Sequence, residues 1–196
     1  MVGVFLRKKV LQGYRPESYS YALFNPPICV QDESSYMKPK HIKIRVAQCL
    51  ELAKASNCPR RKFGAMLLDP TRNVVLMDGY NGGPRGGGAL CGGDTCLRDT
   101  QRVPSGCNVE IGCHHAEMNV LCNAAASGVK TAGAWLLITG EPCMMCAKLL
   151  HHSGINRVIV VGGGYSGKNG IGYLKEHGIE IQYEEGPKDP REVLHV

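Results

Sequence analysis

His115 and Glu117, with Cys143 and Cys146, are the residues here whose types and spacing could do chemistry. One imidazole and two thiols form a ligand set that suits Zn²⁺. Three protein ligands leave the fourth tetrahedral position open for water, as in reactive rather than structural sites. Glu117 is not needed as a ligand, so it is free to handle protons. Cys143 and Cys146 stand at i and i+3 and share a helix face. Pro142 suits a first helical position, where its missing N–H costs nothing. Thiolates at a helix N-terminus also gain from the positive end of its dipole. His115 precedes a helix-like run from Ala116 to Ser127 that stops at Gly128, so two helix starts are expected to converge on one metal. A lone CxxC reads equally as a redox pair or half of a structural zinc site. Pro142 before it, His115-Ala116-Glu117 upstream and strand-like runs on both sides favour the reactive reading.

The elements that must hold these residues are legible from periodicity. Ile42, Val46, Cys49, Leu50 and Ala53 recur at helical spacing, predicting a helix from Pro39 to about Ser56. Phe63–Asp69 and Val74–Asp78 read as strands joined by a turn at Pro70-Thr71-Arg72-Asn73, an antiparallel hairpin. A glycine-rich loop runs from Gly82 to Gly93. The His115 helix, a strand at Ala134–Ile138 and the Cys143 helix ending before Gly154 follow. A strand at Arg157–Val161, a short helix reaching His177 and a strand at Ile179–Tyr183 complete the order. The expected class is α/β: a three-layer α/β/α sandwich on a mixed sheet of about five strands. Residues 39–186 form its one domain, with 82–113 as a Gly- and Cys-rich insert. Residues 1–38, rich in Tyr and Pro without periodicity, read as an arm that packs on a neighbouring subunit or wraps its own domain. Residues 187–196 read as a polar tail.

Composition narrows the class without naming a function. The chain has 196 residues, 43% of them hydrophobic and 20% charged, as in an ordinary globular domain. No apolar run approaches membrane-spanning length, and the first residues lack the apolar core of a secretory signal. With no secretion signal, the ten cysteines predict metal ligation and free thiols in a reducing cytosol rather than disulfides. Cys49 and Cys122, on helical faces, are expected to be buried as small apolar residues. A net charge of +6 suits an anionic substrate. Aromatics are 6% and no Lys/Arg stripe interleaves with them, so neither nucleic acid nor membrane is an expected partner.

From about residue 41 to 183 the chain resembles the deoxycytidylate (dCMP) deaminases of the zinc-dependent cytidine-deaminase superfamily. The resemblance is carried by Cys58-Pro59-Arg60-Arg61-Lys62-Phe63-Gly64-Ala65, Gly79-Tyr80-Asn81-Gly82, His115-Ala116-Glu117-Met118-Asn119 and Glu141-Pro142-Cys143-Met144-Met145-Cys146-Ala147-Lys148. H-x-E with P-C-x-x-C is the signature of zinc deaminases. The segment from Cys91 to Cys113 is similar to microbial and viral members, so a phage-encoded protein working in its host's cytoplasm is among the expectations. The resemblance implies that His115, Cys143 and Cys146 hold Zn²⁺ and that a hydroxide at the metal attacks C4 of cytosine. Glu117 would take the water proton, pass it to N3 and then protonate the departing ammonia. It further implies that Asn81 meets the sugar hydroxyl and that the Ala116 N–H meets O2 of the base. Arg60 and Arg61 are candidates for the 5′-phosphate, which arginine matches bidentately; two solvated arginines at a turn are the other reading. Members are typically hexamers activated by dCTP and inhibited by dTTP with Mg²⁺, and they supply dUMP for thymidylate synthesis. The family also implies a second, structural zinc at positions corresponding to Cys58, Cys91, Cys96 and Cys113, with Cys107 and His114 in reserve.

Other readings compete. Gly162-Gly163-Gly164-Tyr165-Ser166-Gly167-Lys168-Asn169 approximates a phosphate-binding P-loop but has Asn169 where Ser or Thr should meet Mg²⁺. A non-enzymatic zinc module would give Glu117 no task. Within the superfamily, cytidine, tRNA adenosine and riboflavin precursors are alternative substrates. His151 and His152 read as dipole-favoured residues at a helix C-terminus rather than as ligands.

Overall fold

The computed structural model describes residues 37–83, 94–104, 106–107, 111–163 and 168–186. Chain order among these is α1 (Pro39–Ala53), β1 (Gly64–Asp69), β2 (Val74–Tyr80), α2 (Leu97–Thr100), α3 (Ala116–Ala126), β3 (Trp135–Ile138), α4 (Met144–His152), β4 (Arg157–Val161), α5 (Ile171–Glu176) and β5 (Glu180–Glu184). The strands form one sheet in the order β2-β1-β3-β4-β5. β1 pairs antiparallel with both β2 and β3, whereas β3–β4 and β4–β5 pair in parallel. The sheet is therefore mixed, as expected.

Alternation along the buried strands splits the interior in two, because successive side chains leave a strand on opposite faces. Ala65, Leu67, Leu136, Ile138, Val158 and Val160 face α3, α4 and α5, meeting Val120, Leu150 and Leu174. Met66, Leu68, Trp135, Leu137, Ile159 and Val161 face α1, meeting Ile42, Val46 and Cys49. Helices on both faces of one sheet give the three-layer sandwich. Leu136 is wholly buried at its centre, so truncating it to alanine would destabilise by about 2–5 kcal/mol.

Two glycines set how closely the layers approach. A Cβ on Gly64 would lie 2.6 Å from the Cys49 carbonyl oxygen in α1, and one on Gly79 would lie 2.8 Å from the Val120 nitrogen in α3. At the far end of the hairpin, Asp69 accepts bonds from the Thr71 and Arg72 N–H groups, and Asn73 takes a left-handed φ of 56°.

Several sequence expectations need correction. α1 ends at Ala53, short of Ser56, and β2 runs on to Tyr80. The short α2 inside the insert was not expected, since four residues are too few for periodicity to register. Cys122 is exposed, because α3 turns Glu117, Val120 and Ala124 inward and position 122 falls on the opposite side. Met37, assigned to the arm, is buried against the α1 core. The rest of the arm (1–36), residues 84–93 with Cys91, and the tail from 187 lie outside the described residues.

Candidate active site

Two helix starts do converge, and ligand residues cap both. His115 is the N-cap of α3 and Cys143 the N-cap of α4, each with extended backbone angles (φ −71°, ψ 154° and φ −69°, ψ 166°). Pro142 thus precedes the cap rather than opening the helix. The Cys143 sulfur accepts the Cys146 N–H at 3.4 Å, so one thiol both caps the helix and offers itself as a ligand.

His115 Nδ1 lies 3.6 Å from the Cys143 sulfur and 3.4 Å from the Cys146 sulfur. A tetrahedral zinc with usual Zn–S and Zn–N bonds sets its S···N edges at about 3.6 Å, so this donor set fits that metal. Among the described residues these three form the one His/Cys/Asp/Glu group compact enough to hold an ion. The protein groups alone already favour a thiolate. A hydrogen bond from the Cys146 thiol, then the His115 contact, hold Cys143 down to about 4. Cys146 is pushed up by the proton it shares with Cys143 and by burial. The His115 imidazole is raised, chiefly by its bond to Cys143.

Glu117 sits in the first turn of α3, 5% exposed, with its carboxyl in hydrogen-bond contact with the Cys146 thiol. Burial raises its pKa above the usual carboxylate range, with His115 opposing. A carboxyl buried beside a metal site is placed to take and return a proton there.

These groups form one end of a cavity of about 620 Å³, within the range of small-molecule sites. Asn81, Ala116, Arg60 and Arg61, the residues named for substrate contacts, all line it. Their duties differ from a simple contact list. The Asn81 amide donates to the Arg61 carbonyl at 2.9 Å and accepts the Phe63 N–H at 2.7 Å, so it fastens the very segment that carries the arginines. Arg60 is ion-paired with Asp99 at 3.2 Å. Sequence reasoning missed Arg98, Lys148 and Glu141, which also line the cavity. Lys148 was visible as the residue two past Cys146; Arg98 and Glu141 carried no periodic signal.

Of the residues named for a second metal, Cys58 and Cys113 come together. The Cys113 thiol, with the Arg61 and Arg60 N–H groups, lowers Cys58 to about 5 against the effect of burial. Cys96 is buried in the same cavity wall and Cys107 is exposed nearby, but neither completes a compact set of three with them. His114 is held by its backbone to Gly82 in both directions. Of the P-loop-like run, residues 164–167 lie outside the described residues, and Asn169 pairs with Cys143 in an isolated bridge. His151, in the last turn of α4, bonds the Tyr173 hydroxyl at 2.9 Å, away from the cavity lining.

Comparison with known proteins agrees with this geometry. A family model described as the cytidine and deoxycytidylate deaminase zinc-binding region matches residues 40–162. The deoxycytidylate deaminase of Mycobacterium phage D29 is 36% identical over 113 residues, 55% of this chain and 83% of that protein. ComE operon protein 2 of Bacillus subtilis (strain 168) is 35% identical over 113 residues, and the match covers 58% of this chain but 54% of that protein. The dCMP deaminase of cyanophage S-TIM5, solved in complex with dCMP and dUMP, superposes with a TM-score of 0.61 at 27% identity, covering 76% of this chain and all of that one. No helix among the described residues is long and apolar enough to cross a membrane. With the family model spanning more than half its length and the ligand triangle within that span, this chain belongs to the zinc-dependent cytidine and deoxycytidylate deaminase family.

Proposed function

We propose that this chain hydrolyses dCMP to dUMP and ammonia. The observation that carries the reading is a buried Glu117 against the His115–Cys143–Cys146 triangle, at the end of a cavity also lined by Arg60, Arg61, Arg98 and Lys148. Zinc bound by the three residues would supply a water acidified to near neutrality. Glu117 would take that water's first proton and deliver it to N3 as the oxygen adds to C4. It would then carry the remaining hydroxyl proton to the amino nitrogen as the C4–N bond breaks, so that ammonia leaves and N3 keeps its proton. The site stays near neutral, since two thiolates balance the metal, and so admits an uncharged base. The Ala116 N–H meets the pyrimidine O2, and Asn81 meets the sugar hydroxyl with the hydrogen-bonding capacity its backbone contacts leave. The cavity's four cations against two carboxylates, Glu117 and Glu141, favour a substrate carrying phosphate. Arg61 is the better of the two predicted clamps, because Arg60 is engaged with Asp99. The S-TIM5 enzyme's complex with dCMP and dUMP supports this substrate class. Product analysis with dCMP, dCTP, deoxycytidine and CMP side by side tests it. Preference for deoxycytidine over dCMP would overturn the nucleotide reading.

The finer expectations belong to the same proposal. The chain works in cytoplasm, the host's if it is phage-encoded, and supplies dUMP for thymidylate synthesis. It assembles as a hexamer that dCTP activates and that dTTP with Mg²⁺ inhibits. Sedimentation and rate measurements with each nucleotide test those points. A second zinc on Cys58 and Cys113, completed by Cys91 and Cys96, is supported by the contact between the first two. Metal analysis should then give about two zinc per chain, falling to about one in Cys91→Ser.

A further inference from the structure

Asn169 is the residue that spoils the P-loop-like run, and the structure gives it a different task. Its side-chain Nδ2 donates to Glu141 Oε2 at 2.7 Å, while its Oδ1 accepts the Ile171 N–H at 3.3 Å. Its backbone pairs with Cys143 in an antiparallel bridge, and the next residue, Gly170, donates its N–H to the Pro142 carbonyl at 2.8 Å. Gly170 sits so close to the turn that a Cβ there would collide with Ala147 and lie 2.9 Å from the Cys143 carbonyl oxygen. The other oxygen of Glu141 accepts the Tyr183 hydroxyl from β5 at 3.0 Å. Glu141, Pro142 and Cys143 are consecutive, so the residues leading into the thiolate ligand are gripped along one side by 169–170 and at the carboxylate by β5.

We propose that Asn169 and Glu141 are positioning residues for the metal: together they hold Cys143 in its ligating, helix-capping conformation. The proposal rests on the zinc reading of His115, Cys143 and Cys146. Among the described residues the Cys143 sulfur is tethered by its neighbours in the triangle, and it must keep the extended angles of an N-cap to present that sulfur. A turn fixed beforehand loses little freedom when a metal binds; a loose one must be ordered by the metal itself, which weakens binding. Groups that orient metal ligands typically change affinity 10–100-fold when removed.

The test measures how fast zinc-loaded protein gives its metal to a chromogenic chelator. Asn169→Ala and Glu141→Ala should each release zinc at least about tenfold faster than wild type, and the double variant no faster than the quicker single, because both act through one contact. Glu141→Gln should stay within about twofold of wild type, since its amide still accepts from Asn169 and can donate to the Tyr183 oxygen. Tyr183→Phe, at a half-exposed position, should fall between. Cobalt-substituted Asn169→Ala should show altered visible bands, which a loss of fold stability alone would not produce. Wild-type release rates in both alanine variants, or accelerations that multiply in the double variant, would overturn the proposal. If Asn169→Ala does not fold, Glu141→Ala against Glu141→Gln decides alone: equal rates overturn it. Wild-type protein that binds no zinc would instead sink the metal reading itself.

Discussion

The two ends of the cavity are built by opposite means. The metal end rests on N-caps of α3 and α4, helices whose inner faces are pressed onto β1, β3 and β4 by wholly buried side chains such as Val120, Leu136 and Leu150. The arginine end rests on long polar side chains. Arg98 reaches from the four-residue α2 to the carbonyls of Pro104 and Cys107, at 3.1 and 2.8 Å, and Arg60 reaches to Asp99. Packed apolar layers hold atoms to fractions of an ångström, as proton transfer demands. Polar tethers hold a wall less rigidly. The contrast is therefore between a ligand triangle anchored in the core and an arginine wall anchored at the surface.

The largest expected effect breaks the metal end. Glu117→Gln should keep the zinc bound by His115, Cys143 and Cys146 and lose turnover by at least about 10²–10⁴-fold, since one group serves several proton transfers. Retention of more than about a tenth of wild-type turnover, with zinc content checked, would remove Glu117 from the chemistry.

At the arginine end the change should appear in KM instead. Arg61→Ala is expected to raise KM for dCMP about 10-fold or more, with deoxycytidine nearly unaffected and kcat preserved, as for a lost charged hydrogen bond. Equal effects on both substrates would return Arg61 to a structural role. Arg98→Ala sharpens the contrast: by freeing the tether to Pro104 and Cys107 it should weaken both substrates by about two- to fivefold, dCMP the more because one of the cavity's cations is lost as well.

The smallest effect lies remote from both ends. Asp69 is held well below the ordinary carboxylate range, mainly by the Arg72 N–H together with Thr71. A depressed folded-state pKa adds stability that is full above the unfolded value near 4 and is lost progressively as pH falls from there through the lower folded-state value. Asp69→Asn should therefore lower Tm by about 2–4 °C at pH 7, with dCMP turnover unchanged and the difference shrinking below about pH 4. A Tm gap as large at pH 2 as at pH 7 would show that the carboxylate's charge is not the cause.

Periodicity and ligand chemistry made the metal end legible. Continuous apolar strands buried on both faces, helices starting at Ala116 and just after Cys143, and the meeting of those starts all follow from local pattern. What stayed hidden depends on residues distant in sequence. Arg60 meeting Asp99 and Asn169 meeting Glu141 join segments whose approach no periodicity encodes. Asn169 was legible only as a defect in another motif. Cys122 was misjudged because α3 is hydrophobic on average, so composition did not reveal which side faced solvent.

The close approach at Gly79 carries one more consequence. The α3 backbone at Asn119 and Val120 rides directly on β2, with no side chain as a spacer, and Glu117 lies less than one turn away. That contact works as the fulcrum of a short lever whose free end is the proton-handling carboxyl. A methyl group inserted there would lift α3 by a few tenths of an ångström, carrying Glu117 and the His115 cap with it while Cys143 and Cys146 stay in place on α4. Gly79→Ala is thus where the fold could yield a graded allele: a protein that accumulates, binds metal and runs slowly.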